Sequence, residues 1–415
     1  MNNRVYSCIA IILVCTMYLY AIDNPHFYRS TNFIHAEPKI EHDLFSSLDI
    51  SLAGGSSCTS RNSNHQHVPL FDLYGTQSVP ALFKNDNHSD DVCANIVQKL
   101  PPSFLLPPQG HVSFDATFKI TEANISYSYI IKKGMLLLFH IPIRRLEIKN
   151  VSYTDITPIS MINEEWQHLF NIFPQCLSHS HITIAPWKGV GIGDLTTLIG
   201  FTHNYQHTKV LDFIDGTVAL GILFPTGKTK NPRDIFSLPL GYNGHFGIPL
   251  QGSLAIGTYG WVTIGTYIQA LFFMHKNQNL GLKTDLMESG PIRSTFSSIR
   301  TSKGADWNTG IYFKADHFAY GLSFTTAYSF SGEQKTHLSI PYNSPFDSAI
   351  INSDSSLQGW NMHTLHFSAE YDFATHDSQS GLRVGAFYTL QLQGTRVFET
   401  NMLGGTFGLD IAWTM

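Results

Sequence analysis

From residue 111 to the C-terminus the chain repeats short segments in which apolar and polar residues alternate strictly. In one of them Leu365, Phe367, Ala369, Tyr371 and Phe373 are interleaved with His366, Ser368, Glu370 and Asp372. Successive side chains of a β-strand point to opposite faces, so such a segment has one apolar face and one wet, charged face. Recurring behind an apolar leader, the pattern predicts an all-β chain: a single antiparallel transmembrane β-barrel, lipid outside and water inside.

About twelve strands are expected, with boundaries good to a few residues. The first two span 112–120 and 124–129. A third starts at Met135 and changes phase at Arg144–Arg145, as a β-bulge would. The rest are marked by alternation over 194–202, 218–224, 246–256, 262–272, 311–313, 320–330, 365–373, 382–392 and 407–415. In these segments Asp, Glu, Lys and Arg fall only on the polar phase, as a lipid-facing surface requires, since a charge there costs roughly 2–4 kcal/mol at the midplane. The candidate lumen-lining residues are therefore Asp115, Lys119, Asp194, Lys314, His366, Glu370, Asp372, Arg383 and Asp410.

Connection lengths point the same way. Those near His207, Thr258, Asp316 and Thr375 are short, whereas 157–190, 225–243, 274–306 and 331–357 are long. Strand parity puts every long one on the same side, as in barrels with short periplasmic turns and long outer loops. A soluble sandwich would instead need a second apolar layer over each apolar face, with no parity rule for its loops. One helix interrupts the strands: Thr157 is its expected N-cap, Pro158 its first residue, and Met161, Ile162, Trp166, Leu169, Phe170 and Phe173 form its stripe before Pro174 ends it. It belongs on the outer side, over the mouth, in the headgroup layer or packed beneath a long loop.

Composition narrows the class. Of 415 residues 43% are hydrophobic and 13% aromatic, but only 14% are charged, against about 25% in soluble domains. Helical spans would need apolar runs of about 18 residues, and only the extreme N-terminus approaches one. The net charge of −5 argues against a nucleic-acid partner. Residues 1–21 read as a signal peptide, with Arg4 before an apolar stretch and Ala21 at its end. Residues 22–110 carry Gly-Gly-Ser-Ser at 54–57, a polar run at 59–67 and Pro101, Pro102, Pro107 and Pro108. This segment is expected to be irregular, periplasmic or entering the lumen, and either a plug or a linker. The barrel is expected to occupy 111–415.

Cys8 and Cys15 leave with the signal. Cys58 and Cys93 share the polar N-terminal region and could form a disulfide in an oxidising compartment, which would leave Cys176 unpaired; free thiols are the alternative. Zinc held by Cys58, His65, His67, His88 and Cys93, or by His179 and His181, finds no tight ligand spacing, so no metal or cofactor is expected. Among 20 histidines, His363 or His366 could partner Ser368 in a hydrolase, yet no nucleophile elbow or ordered triad accompanies them. Polar Ser- and Asn-rich loops such as 339–357 would also suit a structural or adhesive surface barrel, although no repeated motif marks their tips.

Gly189-Val-Gly-Ile-Gly-Asp194-Leu, entering one strand, and Leu223-Phe-Pro225-Thr-Gly227-Lys, ending the next, resemble signatures of a bacterial barrel family. It is the family of outer-membrane proteins of meta-pathway phenol degradation, distantly related to long-chain fatty-acid transporters. The resemblance covers roughly residues 110–415 and is sharp over about 40 of them. It implies a single-chain channel for passive uptake of small hydrophobic or aromatic solutes. Membrane lipids, the barrel-assembly machinery and the solute would be its partners. The chain departs from the family's usual aromatic end by finishing Trp413-Thr-Met415.

Overall fold

The computed structural model of the chain describes residues 44–84, 92–131, 134–206, 211–340, 344–373 and 380–413. The expected signal segment, His88, the turns at His207 and Thr375 and the last two residues lie outside them.

Twelve antiparallel strands close into a ring. They are β1 (Leu44–Ser57), β2 (His111–Ile131), β3 (Met135–Asp155), β4 (Leu195–Tyr205), β5 (Phe213–Phe224) and β6 (Gly247–Thr258), followed by β7 (Val262–Phe273), β8 (Asp306–Ala319), β9 (Leu322–Glu333), β10 (Trp360–Asp372), β11 (Gly381–Thr395) and β12 (Asn401–Trp413). Strands adjacent in sequence are adjacent in space, and β1 seals the ring by pairing with both β2 and β12. Closure leaves no unpaired edge inside the bilayer, which has no water to satisfy one. The fold is an outer-membrane β-barrel. Val218, Ile268, Ile311 and Leu403, each between 59% and 66% exposed, belong to its apolar outer band.

The strand count agrees with expectation, but the strands are not the expected twelve. The alternating segments 112–120 and 124–129 are parts of one continuous strand, β2, and the missing strand is β1, inside the segment expected to be irregular. The expected start of the barrel at 111 is corrected to 44. Leu48, Ile50 and Leu52 alternate with Ser47, Asp49 and Ser51, a strand signal that the following Gly-Gly-Ser-Ser obscures. Merging two strands and adding one leaves the parity of the later strands unchanged. It moves residues 58–84 and 92–110 to the long-connection end, where they form a cap over the barrel.

That placement explains why β2 was read as two strands. In its first half Val112, Phe114, Ala116, Phe118 and Ile120 point inward and are buried beneath the cap, against Leu70, Phe71, Leu73 and Phe83. In its second half Glu122 and Asn124 continue the inward row while Ile125, Tyr127 and Tyr129 face outward. The backbone keeps its pleat; the apolar environment changes sides, from cap to lipid. The expected bulge at Arg144–Arg145 is likewise absent, and the register shift between β2 and β3 lies at Asp115/Thr117. Arg144 points into the bore and Arg145 away from it, which regular alternation already provides.

The cap contains the short helices α1 (Val79–Phe83) and α2 (Val92–Val97) and packs on α3 (Glu164–His179) from the next long connection. Helix α3 starts later than expected because Asn163, not Thr157, is its N-cap, its side chain accepting from the Trp166 N–H at 2.8 Å. It also runs through Pro174 instead of ending there. Trp166, Leu169, Phe173 and Leu177 are fully buried, so the stripe is core under a long loop. The disulfide is Cys93–Cys176, joining α2 to α3, and Cys58 is free and exposed. Sequence proximity favoured Cys58–Cys93; packing of the two helices decided otherwise.

Candidate functional site

At the outer mouth the cap meets the connections 225–246, 274–305 and 334–359 around a cavity of about 310 Å³. Phe71, Leu238, Leu280, Leu338 and Phe398 supply apolar wall, while Lys276, Lys283, Arg293 and Lys303 bring cations to it. Arg293 is held by a two-pronged contact with Asp354, Nε–Oδ2 and Nη2–Oδ1 both 2.7 Å. Burial alone would push the Asp354 carboxyl up, but the guanidinium beside it holds it below its ordinary value. Burial pushes the nearby Glu288 carboxyl up and the Lys283 ammonium down. The Lys303 ammonium lies 2.8 Å from Glu333 at the end of β9, at the entrance to the bore.

One clasp orders this mouth. Asp194, between the short strand Trp187–Ile192 and β4, accepts hydrogen bonds from the backbone N–H groups of Gly227 and Tyr242. A Cβ on Gly241 would stand 2.3 Å from the Asp194 carboxyl group, so the backbone approaches as closely as only glycine permits. The two sequence signatures thus meet in space.

Below it, Glu122 and Arg144 face each other across β2 and β3 at 2.6 Å, beside a cavity of about 80 Å³ that His140, Gln251 and Gln269 also line. At mid-height Tyr267 and Tyr312 project inward with Ala255, Ala327 and Phe213. Each ring lies over a glycine of the neighbouring strand: an added Cβ on Gly265 would be 2.3 Å from the Tyr312 ring, and one on Gly310 would be 2.5 Å from the Tyr267 hydroxyl. Two notched aromatics therefore narrow the bore where serine, threonine and glycine otherwise line it.

At the short-turn end Arg383 of β11 reaches Asp49 at 2.7 Å, Asp410 at 3.0 Å and Glu370 at 3.3 Å. It links β1, β12 and β10 across the seam where the ring closes. Lys314 and His317 contact Asp316 at 3.3 and 2.9 Å, and Asp372 lies 3.5 Å from His317. A second cavity of about 80 Å³ lies among these groups.

Of the candidate lumen residues, Lys314, Glu370, Asp372, Arg383 and Asp410 come together at this lower end. His366 is buried higher in the wall, hydrogen-bonded to Ser329 at 2.8 Å and Thr389 at 3.3 Å rather than to Ser368. Asp194 is the mouth clasp. Asp115 and Lys119 are corrections: they point away from the bore, on the part of β2 that rises above the lipid band. Their phase was set by the buried apolar residues beside them, which face the cap and not the lipid. Asp49 and Arg144 also face the bore without being expected there, because the alternation of β1 is obscured and the phase near residue 144 misleads. The Tyr267–Tyr312 pair is likewise unannounced by any motif. His65 and His67 contact Gly394 O and Glu399, and no metal-holding cluster exists among the described residues.

No protein-family model matches the sequence, and no curated protein matches it. Among solved structures, an outer membrane channel from Pseudomonas putida F1 is similar over 91% of this chain and 100% of its own, at 9% identity and a TM-score of 0.51. The toluene transporter TodX of Pseudomonas putida aligns over 95% of this chain and 94% of its own, at 11% identity and a TM-score of 0.34. The toluene transporter TbuX of Ralstonia pickettii aligns over 90% of each chain at 8% identity, also with a TM-score of 0.34. The first likeness shows a shared fold; at their scores the two transporters add no argument.

Proposed function

We propose that this barrel is a channel for passive uptake of small hydrophobic or aromatic solutes across the outer membrane. It would be related to the phenol-degradation barrels that the two signatures resemble. The observation that carries the proposal is the mouth cavity of about 310 Å³, whose walls mix apolar side chains with cations and whose volume suits a small organic molecule. Cations at its rim favour solutes bearing a carboxylate or an acidic hydroxyl. Beneath it the bore is lined by polar and ion-paired side chains and narrowed by Tyr267 and Tyr312, so passage requires those rings to turn aside. Narrow calibre accords with a ring of twelve strands, between the filled eight-stranded and the open sixteen-stranded kind.

Uptake by liposomes reconstituted with the full chain tests this. Toluene and benzoate should enter faster than glucose, and Tyr267→Ala with Tyr312→Ala should raise single-channel conductance. No conductance and no uptake in either form would sink the channel.

A further inference from the structure

Outward-facing charge among the described residues is confined to one place on this barrel. Among the described residues of the twelve strands, Asp, Glu, Lys and Arg point away from the bore only at Asp115 and Lys119 of β2 and at Arg145, Glu147 and Lys149 of β3. Lys188, on the short strand that extends the sheet beside β3, joins them.

The register assembles these residues into a patch. Lys119 stands opposite Glu147 across β2 and β3, and Glu147 opposite Lys188 across the next pair, so the three share one height. Arg145 donates to Glu147 at 2.6 Å from below, Lys149 contacts it at 2.6 Å from above, and Lys188 lies 3.8 Å away. Glu147 is covered, but the side chains of Arg145, Lys149 and Lys188 stay 51%, 46% and 55% exposed. Three cations thus contact one carboxylate and Lys119 stands opposite it, with Asp115 the only other acid on this face among the described residues, and the patch keeps a positive surplus although the chain is acidic overall.

Height above the membrane identifies the occupant. On the same outward rows, Ile143 precedes Arg145 by two positions, and Val190 and Ile192 follow Lys188. These three are 40%, 60% and 50% exposed and belong to the lipid-facing surface. Two residues of strand rise about 7 Å, so Arg145 stands that far above Ile143 and Ile192 and level with Val190, while Lys119 and Lys188 stand two positions higher again, towards the end that bears the long loops.

We propose that this patch binds the phosphate groups of the phosphorylated glycolipid in the outer leaflet, fixing one lipid against β2, β3 and the Trp187–Ile192 strand. Glu147 keeps its three contacting cations gathered while the lipid is absent and turns their remaining donors outward. A dissolved anion would find the same charges but no acyl chain contact. A lipid carries its phosphate to them with its chains lying on Ile143, Val190 and Ile192.

The test uses the full-length barrel in detergent, with purified lipid A, lipid A stripped of phosphate, and inorganic phosphate as probes. The variant is Lys119→Gln with Lys149→Gln and Lys188→Gln, which spares the Arg145–Glu147 pair. Near a membrane each basic residue contributes about 1 kcal/mol towards anionic lipid, so losing three should weaken lipid A binding on the order of a hundred-fold. The same barrel should stay heat-modifiable on gels. Phosphate-free lipid A should bind the parent about as weakly as intact lipid A binds the variant. Equal binding of the two lipids by the parent, or unchanged binding by the triple variant, overturns the proposal. Inorganic phosphate displacing lipid A at comparable concentration also overturns it, since the site would then recognise a free anion.

Discussion

The Asp194 carboxylate accepts a hydrogen bond from the backbone N–H of Gly227 at 2.8 Å, tying the approach to β4 to the exit from β5. Its second oxygen takes the Tyr242 N–H. Asparagine at position 194 can satisfy only one of these donors, because its amide presents an N–H to the other. Asp194→Asn should therefore weaken the mouth by about 1–3 kcal/mol, the cost of an unmade buried hydrogen bond. The expected readout is faster protease cleavage within 225–243 while the barrel stays assembled.

The Tyr312 ring occupies space that Gly265 leaves open. Gly265→Ala drives a methyl group into that ring and should cost about 1–3 kcal/mol by overpacking. A lower urea midpoint, with changed tyrosine fluorescence, would confirm the contact; an unchanged midpoint would refute it.

The Cys93–Cys176 bond closes a loop of sequence separation 83. A chain-entropy estimate for such a loop is about 4.5 kcal/mol. Because both cysteines lie in the cap and α3, that stabilisation belongs to the mouth and not to the strands. Cys93→Ser should leave heat-modifiable migration intact while opening residues 59–110 to trypsin. Loss of the barrel itself would show that cap and barrel fold as one unit.

Arg383→Met would strand Asp49, Glu370 and Asp410 around an apolar side chain. Removing one partner of a buried ion pair costs about 3–5 kcal/mol. Asp49 and Glu370 keep about a third of their side-chain surface in water (30% and 31%). Screening by that water brings the expected cost nearer 2 kcal/mol. Unfolding in urea measures it, and Arg383→Lys should recover only part because it cannot reach three carboxylates at once.

Asp72 of the cap is buried, accepting from Ser113 Oγ at 2.6 Å and from the Phe114 N–H at 3.2 Å. Burial pushes its carboxyl above the ordinary 3.8 against these hydrogen bonds. The folded form therefore holds its proton more tightly than the unfolded one. The contribution of Asp72 to stability is complete below the unfolded value and falls away as pH rises through the folded one. Asp72→Asn keeps an acceptor for Phe114 and offers a donor to Ser113 without a charge. The variant's cap should melt higher than the parent's at neutral pH, with the gap closing as the solution is acidified.

Much of the barrel can be read from the chain. The segments 218–224 and 262–272 fall within strands at the expected phase, and 320–330 does so from Leu322 on, because lipid on one side and water on the other impose a two-residue period. Arg383, Glu370, Asp372 and Asp410 could be placed inside by the same rule. Asp115 and Lys119 could not. Period two fixes which residues share a face, but only the surroundings decide whether an apolar face meets lipid or protein. At β2 the cap supplied protein.

The sequence by itself determined the class of fold and the sharing of one end by the long connections, since these follow from alternation and loop length along a single chain. Only the tertiary structure decided that residues 44–57 seal the ring, that Cys93 finds Cys176, and that Asp194 clasps Gly227. It also decided that three cations contact Glu147 and that Lys119 stands opposite it. Each of these joins positions that local pattern cannot relate, because the strands must first close into a cylinder before residues far apart in the chain share one height and one neighbour.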